Sequence, residues 1–121
     1  MGFCFGGLCA LDMARVNLGI CGAVSIHGAF NKPDKCNSDD IKAKILVLHG
    51  YEDTIITNEK LMDLGEELKS RNADFQLIAL SKAGHAFTHP KANDPNSKNK
   101  FDATSTKRSF QYIKNFFTEI F

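Results

Sequence analysis

The sequence predicts an α/β fold in which a mostly parallel sheet of about three strands is flanked by helices. Helical and strand-like patterns alternate along the chain, which is typical of an open α/β sheet. The strand-like segments are continuous apolar runs, which suit a parallel sheet covered on both faces. The chain of 121 residues, 43% of them hydrophobic, fits one domain with a buried core.

The first part of the chain predicts a helix, a strand and a loop. The helix extends from residue 6 to about residue 18, and because apolar residues occupy most of its faces we expect it to be largely buried. Asn17 and Gly19 supply its stop signal. The short apolar run over residues 22–26 predicts a buried strand, and residues 27–40 predict a polar loop.

The middle of the chain contains the two clearest strand predictions, over residues 44–49 and 75–80. Residues 58–72 lie between them and predict a helix, because leucines recur on one face at positions i, i+3 and i+7. The predicted apolar stripe of this helix consists of Leu61, Leu64 and Leu68.

The last part of the chain predicts a long polar loop over residues 88–103, followed by a final helix that Thr104 or Thr106 can cap. The predicted apolar stripe of the final helix consists of Phe110, Ile113, Phe117 and Ile120. This helix and the buried first helix need more sheet than three strands provide. We therefore expect the chain to be part of a larger domain.

Composition excludes several classes of function. The 15 basic and 14 acidic residues nearly balance, so neither nucleic acid nor a membrane is expected as a partner. The four cysteines, Cys4, Cys9, Cys21 and Cys36, form no C-x-x-C pair, so structural zinc is not expected. A disulfide framework is not expected either, because the sequence shows no secretion signal. No motif for a nucleotide, a flavin or a metal is present, so no cofactor is expected. Without a recognisable signal peptide, reduced thiols in a cytoplasmic protein are the expectation.

Residues 2–6, GFCFG, have the spacing of a nucleophile elbow with cysteine in place of serine. Glycines two residues before and after Cys4 allow the incoming strand and the outgoing helix to approach closely. The turn then places the sulfur at a helix N-terminus, which favours a thiolate, and directs the amide of Phe5 toward a developing oxyanion. Glycine-rich turns are also common without catalysis, so the partners of Cys4 decide between these interpretations.

Two candidate partners follow later strands in the order that this architecture uses. Asp53 lies four residues after the 44–49 strand, and His85 lies five residues after the 75–80 strand. Because the carboxyl ends of parallel strands meet at one edge, we expect both residues near Cys4. Glu52 is the alternative acid.

The other histidines are weaker candidates. His27 and His49 each precede a glycine at a strand end, where they either line a pocket or complete the core, and the structural role is favoured for both. His89 precedes Pro90 and is expected at the rim of the site. Together with Phe87, His27 and His89 are the candidate substrate-pocket residues.

The motifs resemble those of the dienelactone hydrolase family, a branch of the α/β-hydrolases. The likeness rests on residues 2–7 (GFCFGG), on residues 48–50 (LHG) with Asp53, and on residues 84–88 (GHAFT). The tail adds three shorter matches, at residues 94–95, 108–110 and 114–117. The resemblance covers residues 1–121 but corresponds to the C-terminal half of the family, so it implies a partial α/β-hydrolase fold with the N-terminal half missing.

The resemblance implies hydrolysis of a small-molecule lactone or ester through an acyl-cysteine, without a metal. Cys4 attacks the carbonyl, His85 moves the proton, and Asp53 fixes the tautomer of His85. The family's second oxyanion donor and its upstream substrate-binding residues have no counterpart in this sequence. Ala86 and His89 stand where some members carry a serine and an arginine, which weakens the case for dienelactone itself as the substrate.

Three functional interpretations remain open from the sequence. The chain is a thiol hydrolase, alone or after pairing with a complementary half. Alternatively, it is a truncated fragment that retains the site residues without activity. The third interpretation is an interaction domain that uses an exposed sheet edge for self-association or partner binding.

Overall fold

The computed structural model of the protein describes residues 1–34, 36–96 and 99–121. The three remaining residues, Lys35, Ser97 and Lys98, fall in predicted loops and lie outside the described part. The elements in chain order are β1 (Gly2–Phe3), α1 (Phe5–Arg15), β2 (Gly22–Ile26), β3 (Lys44–Gly50), α2 (Asn58–Ser70), β4 (Phe75–Leu80), β5 (Asn93–Asp94), β6 (Asn99–Lys100) and α3 (Ala103–Ile120). None of the described helices is long and apolar enough to cross a membrane.

The first four strands form one parallel sheet in the order β1-β2-β3-β4. This confirms the predicted α/β class and the parallel sheet. The sequence indicated about three strands, whereas the described sheet has four. The additional strand, β1, is only two residues long, too short for a hydrophobic pattern to reveal. The parallel register brings the carboxyl ends of all four strands to one edge.

Helices cover both faces of the sheet, as the continuous apolar runs predicted. On β3, Ile45 and Val47 face α1 and α2, whereas Leu46 and Leu48 face α3. The predicted stripe of α2 is buried against the first face. Because successive strand side chains point to opposite faces, two cores demand apolar residues at every position of the strand.

Helix α1 differs from the sequence prediction in length and burial. It ends at Arg15 instead of continuing to about residue 18, and the predicted stop residues Asn17 and Gly19 have φ angles of 52° and 78°. Only one face is buried, and the side chains of Met13 and Leu18 are 41% and 62% exposed. The expectation of a largely buried helix is therefore wrong, because the sheet covers α1 on one side only.

The loop predicted over residues 88–103 contains a short antiparallel hairpin, β5–β6, that the sequence did not reveal. The cap of α3 also differs from the prediction. Asp102, and neither Thr104 nor Thr106, is the N-cap, and its carboxylate accepts a hydrogen bond of 2.7 Å from the amide of Ser105. Asp102 precedes both threonines, so the helix begins earlier than the pattern indicated.

The buried face of α3 is rotated from the predicted stripe. Ile113 is buried, and Phe117 and Ile120 pack partly against the same core, as expected. Phe110 is 50% exposed, whereas Phe116 is buried. Ser105 and Ser109 continue the buried face toward the helix start. Because these buried residues are polar serines, a hydrophobicity pattern does not identify them as part of the packed face.

Candidate active site

Cys4 lies on a sharp turn between β1 and α1, in a strained backbone conformation with φ 49° and ψ −118°. Positive φ is uncommon outside glycine and is a form of backbone strain associated with functional sites. Backbone hydrogen bonds hold the turn: the amide of Cys4 donates to the carbonyl of Ile26 (3.1 Å), and the amide of Gly7 donates to the carbonyl of Cys4 (3.0 Å). The chain thus has the local geometry of a nucleophile elbow.

The glycines that permit this turn are not the pair that the motif suggested. A β-carbon at Gly2 would collide with the backbone of Gly6, as expected, but a β-carbon at Gly6 itself would meet nothing within 4 Å. Gly7 is the second crowded position, since a β-carbon there would lie 2.6 Å from the hydroxyl of Ser25 and 3.1 Å from Gly28. Close packing of α1 on β2 therefore requires Gly7.

Asp53 and His85 form a hydrogen-bonded pair at the same edge of the sheet. The Oδ2 atom of Asp53 lies 2.8 Å from Nδ1 of His85, and its Oδ1 accepts from the amides of Ile55 (2.8 Å) and Ile56 (2.9 Å). Burial alone would raise the pKa of Asp53, but the bonds from His85, Ile56 and Ile55 outweigh it and hold this pKa below its usual value. The carboxylate is therefore ionised at neutral pH.

Backbone contacts between the loops after β3 and β4 bring this pair together. The amide of Tyr51 donates to the carbonyl of Leu80 (3.0 Å), and the amide of Glu52 donates to the carbonyl of Ala83 (2.9 Å). Glu52, the alternative acid, is exposed, and it is Asp53 that contacts His85.

The imidazole in direct contact with the Cys4 sulfur belongs to His27. The Sγ atom of Cys4 lies 3.2 Å from Nδ1 of His27, and the ring of His27 lies 5.8 Å from that of His85 between centroids. Asp53 is close enough to Cys4 to affect its ionisation. The structure thus assembles Cys4, His27, His85 and Asp53 at one edge.

The sequence ranked His27 as a pocket or core residue. The signal that pointed to a closer role was its position directly after β2, the strand that pairs with β1 in front of the elbow.

The thiol of Cys4 is not ionised by its position, contrary to the sequence expectation. Partial burial, followed by the negative charge of Asp53, raises the pKa of Cys4 above its ordinary value. The resting sulfur at neutral pH is therefore a thiol, and any nucleophilic role requires a base to remove its proton.

The remaining predicted site residues occupy different depths. Phe87 is fully buried and packs edge-on against His27, with ring centroids 5.2 Å apart, so it supports that ring from the core. His89 is exposed at the rim, where its Nδ1 accepts from the amide of Lys91 (3.2 Å). His49 is buried against Phe30, and neither of its ring nitrogens makes a well-formed hydrogen bond with the described residues.

Phe5, the predicted oxyanion donor, is the first residue of α1. Its amide therefore belongs to the first helical turn, whose N–H groups have no acceptor within the helix. In the described part of the chain, no group of three or more His, Cys, Asp and Glu side chains is arranged to hold a metal ion.

A parallel sheet with an elbow cysteine after one strand, and an acid and a histidine after later strands, defines an α/β hydrolase fold. The sequence profile of the dienelactone hydrolase family matches residues 1–121, and the chain belongs to that family.

Relatives of known sequence or structure agree with this placement. An uncharacterized protein of Caenorhabditis elegans is 36% identical over 126 residues, covering 99% of this chain and 78% of that protein. A Yersinia pestis protein named as a carboxymethylenebutenolidase is 29% identical over 126 residues, covering 98% of this chain and 45% of that protein. The crystal structure of a dienelactone hydrolase-like promiscuous phosphotriesterase from metagenomic libraries superposes with a TM-score of 0.90 at 31% identity, covering 99% of this chain.

The lengths of these relatives differ from that of the chain. The chain spans 51% of the phosphotriesterase and about half or less of the bacterial proteins, although it spans 78% of the nematode relative.

Proposed function

We propose that the protein hydrolyses a carboxylic ester or a lactone, with Cys4 as nucleophile, His85 as general base and acid, and Asp53 as the residue that orients His85. The observation that carries the proposal is the 2.8 Å hydrogen bond between Asp53 and His85, at the same edge of the sheet as a cysteine on a strained elbow. Nucleophile, base and orienting acid are the three parts that cysteine acyl transfer needs.

The first half of the reaction is acylation. Asp53 engages Nδ1 of His85, which leaves Nε2 as the nitrogen that takes the thiol proton. The sulfur of Cys4 bonds to the carbonyl carbon, and the carbonyl π electrons move to oxygen, where the amide of Phe5 stabilises the negative charge. As the intermediate collapses, the ester C–O bond breaks and the leaving oxygen takes the proton from His85. The product is an acyl-cysteine.

The second half returns the enzyme to its starting state. Water attacks the thioester carbonyl while His85 takes its proton, and the same oxyanion site stabilises the second intermediate. The C–S bond then breaks, the thiolate recovers the proton from His85, and a carboxylic acid leaves. A lactone follows the same steps, except that its alcohol and acid remain in one molecule.

The substrate class is supported by the family and by the names of relatives. The Yersinia pestis relative is named for action on a butenolide, which is an unsaturated lactone. The metagenomic relative is described as a promiscuous phosphotriesterase, so a phosphotriester is a second candidate substrate class for this chain.

The alternative function is non-catalytic. The chain would then be a fragment that retains Cys4, His85 and Asp53 without turnover, or an interaction domain that binds partners through the edge of β1 opposite β2. The chain spans only part of several relatives, which favours this alternative.

Hydrolysis of p-nitrophenyl acetate by the 121-residue chain tests the proposal. We expect release of p-nitrophenol that falls about 1,000-fold or more in Cys4→Ala. The matched control is Cys9→Ala, because Cys9 is an exposed thiol on the same helix, and we expect it to retain turnover within about twofold. A p-nitrophenyl phosphotriester, measured in parallel, separates the two substrate classes.

Turnover that survives Cys4→Ala would refute the mechanism. A wild-type chain that is folded by circular dichroism but releases no p-nitrophenol would favour the non-catalytic alternative.

A further inference from the structure

The imidazole of His27 is held rigidly against the Cys4 sulfur, with Sγ of Cys4 3.2 Å from Nδ1 of His27. His27 follows β2 with φ 38° and is only 2% exposed. Phe87 packs against its ring from the core at 5.2 Å, and Phe3 lies 5.9 Å away between ring centroids. In this orientation both ring nitrogens have a polar partner, and the aromatic neighbours pack around the ring, so Nδ1 is directed at the thiol.

The second nitrogen of the same ring is also engaged. Nε2 of His27 lies 2.7 Å from the hydroxyl oxygen of Thr88, which stands three residues after His85. A neutral imidazole carries one N–H donor and one bare acceptor nitrogen. The partner at one nitrogen therefore determines what the other nitrogen can offer: if Nε2–H donates to Thr88, Nδ1 is an acceptor for the thiol.

The surroundings of His27 keep it uncharged. Burial, followed by the neighbouring His85, lowers the pKa of His27 to about 4, and His89 acts in the same direction. A hydrogen bond from the ring to the backbone of His27 itself, followed by the negative charge of Asp53, opposes this shift but does not reverse it. At neutral pH the ring therefore has no positive charge with which to stabilise a thiolate, and it is a poor acceptor for a complete proton transfer.

The protonation states of the two partners agree with one tautomer. The raised pKa of Cys4 keeps its S–H hydrogen in place at neutral pH, so the sulfur is a donor. Because the sulfur donates to Nδ1, this nitrogen must carry no hydrogen. The ring hydrogen then resides on Nε2 and is directed at Thr88.

We propose that His27 is a positioning residue that accepts the S–H hydrogen bond of Cys4 through a bare Nδ1, and that Thr88 sets this tautomer by accepting from Nε2–H. The inference rests on the proposed function, because it assumes that Cys4 is the nucleophile. The two imidazoles of the site then have separate tasks. In the resting state His27 holds the S–H hydrogen and stays neutral. For catalysis this hydrogen turns away from Nδ1 of His27 and passes to His85, the base that is paired with Asp53.

Imidazole ¹H–¹⁵N spectra of the ¹⁵N-histidine-labelled chain test the tautomer without any turnover. His27 is assigned by its absence in His27→Gln. We expect a protonated Nε2, an unprotonated Nδ1 and no titration of this ring above about pH 5. A protonated Nδ1, or a ring that titrates near pH 6.5, would overturn the proposal. Either result leaves the hydrolase mechanism itself to be judged by Cys4→Ala.

A pair of substitutions at the half-buried Thr88 tests the coupling. Thr88→Val removes the acceptor for Nε2–H with little change in shape, which favours the tautomer that donates from Nδ1 to sulfur. We expect the apparent pKa for alkylation of Cys4, followed on its own peptide by mass spectrometry, to fall by about half a unit to one unit. Thr88→Ser keeps the hydroxyl and is expected to restore the wild-type profile.

An unchanged or raised apparent pKa in Thr88→Val would contradict the assignment, as would a Thr88→Ser profile that matches Thr88→Val. Circular dichroism of each variant shows whether the fold is retained, and the tautomer spectrum of the wild-type chain remains decisive if one variant does not fold.

Discussion

Two clusters of buried polar side chains in this protein are built on different principles. The Arg15 cluster (Arg15, Glu67 and Arg71) lies between α1 and α2, and Arg15 donates to both carboxylate oxygens of Glu67 at 3.0 and 2.8 Å. Arg71 donates to the backbone carbonyl of Arg15 at 2.6 Å. The candidate active site (Cys4, His27, Asp53 and His85) lies at the carboxyl edge of the sheet and combines neutral and charged groups.

The two clusters differ more clearly in backbone conformation than in burial. Among the described residues, the non-glycine residues with positive φ are Cys4, His27 and Ala86 at the site, and Asn17 and Asn72 just after α1 and α2. Asparagine adopts this conformation at helix ends at little cost. A cysteine, a histidine and an alanine do so less readily, so backbone strain is concentrated at the site.

We infer from this difference that the Arg15 cluster stabilises the fold and that the candidate active site serves catalysis. The Arg15 cluster pairs opposite charges with many hydrogen bonds on regular helices, and this arrangement holds two elements together. The site holds a thiol, two imidazoles and a carboxylate on strained turns, an arrangement that stability alone does not require. Substitutions should therefore separate the two clusters, with activity lost at one and stability lost at the other.

The largest expected effect is on turnover, in Asp53→Asn. The amide retains the shape of the carboxylate but cannot hold His85 in the productive tautomer, so kcat for p-nitrophenyl acetate should fall by about 100- to 10,000-fold. The matched control is Glu52→Gln at the exposed neighbouring position, which should change kcat by less than about threefold. A larger loss in Glu52→Gln than in Asp53→Asn would reverse the assignment of the acid.

A comparable effect on stability, without a direct effect on the chemistry, is expected in Arg15→Ala. This change leaves Glu67 buried and without its main partner, which should lower the free energy of unfolding by about 3–5 kcal/mol. Lys42→Ala is the control, because Lys42 and Asp40 form an exposed pair at 4.0 Å whose loss should cost less than about 1 kcal/mol. Urea unfolding followed by circular dichroism measures both, and equal losses would contradict the structural role of the Arg15 cluster.

The next effect is a pH dependence of stability that originates at the site. The pKa of His27 is lowered from 6.5 to about 4 in the folded chain, so an unfolded chain takes up this proton at higher pH than the folded one. Stability is therefore unaffected above pH 6.5 and falls as the pH decreases toward 4, by about 3 kcal/mol for this group.

The variant His27→Gln removes the titrating group and should flatten the decline between pH 6.5 and 4. A residual slope is expected, because burial also lowers the pKa of His49. Urea unfolding at several pH values measures the slope, and an identical decline in His27→Gln and wild type would refute the assignment.

The smallest effect is expected from a pair of glycine substitutions at the elbow. Gly2→Ala introduces a β-carbon that collides with the backbone of Gly6, and the required shift should cost about 1–3 kcal/mol and displace Cys4. Gly6→Ala introduces a β-carbon into open space within α1 and should be neutral or stabilising by up to about 1 kcal/mol. Thermal unfolding and turnover measured together distinguish them, and the reverse order of effects would show that the turn is not as described.

Much of the fold could be predicted because it depends on local patterns. The bounds of β2 and β4 agree with the strand predictions, since apolar runs flanked by polar loops leave little choice. The sequence could not reveal β1, whose two residues are strand only through pairing with β2. The burial of Arg15 depends on Glu67 from a distant helix, a partnership that no local pattern encodes.

The site was predicted in part for a similar reason. The spacing of the motifs predicted that Cys4, Asp53 and His85 lie at one edge of the sheet. The contact between Asp53 and His85 follows from the order of the strands. The contact between Cys4 and His27 depends on the register of β1 against β2 and on a positive φ after β2. The raised pKa of Cys4 depends on burial and on the negative charge of Asp53, and the local elbow motif reveals neither.

In the proposed mechanism, Cys4 at the strained edge of the sheet is the group that becomes acylated. Rapid quenching of the chain in acid during reaction with p-nitrophenyl acetate, followed by peptide mass spectrometry, tests it most directly. We expect one acetyl group on the peptide that contains Cys4, accumulating before steady state and absent in Cys4→Ala. Acetyl groups on Cys9, Cys21 or Cys36 at equal or higher occupancy, or turnover without any acetylated Cys4, would contradict it.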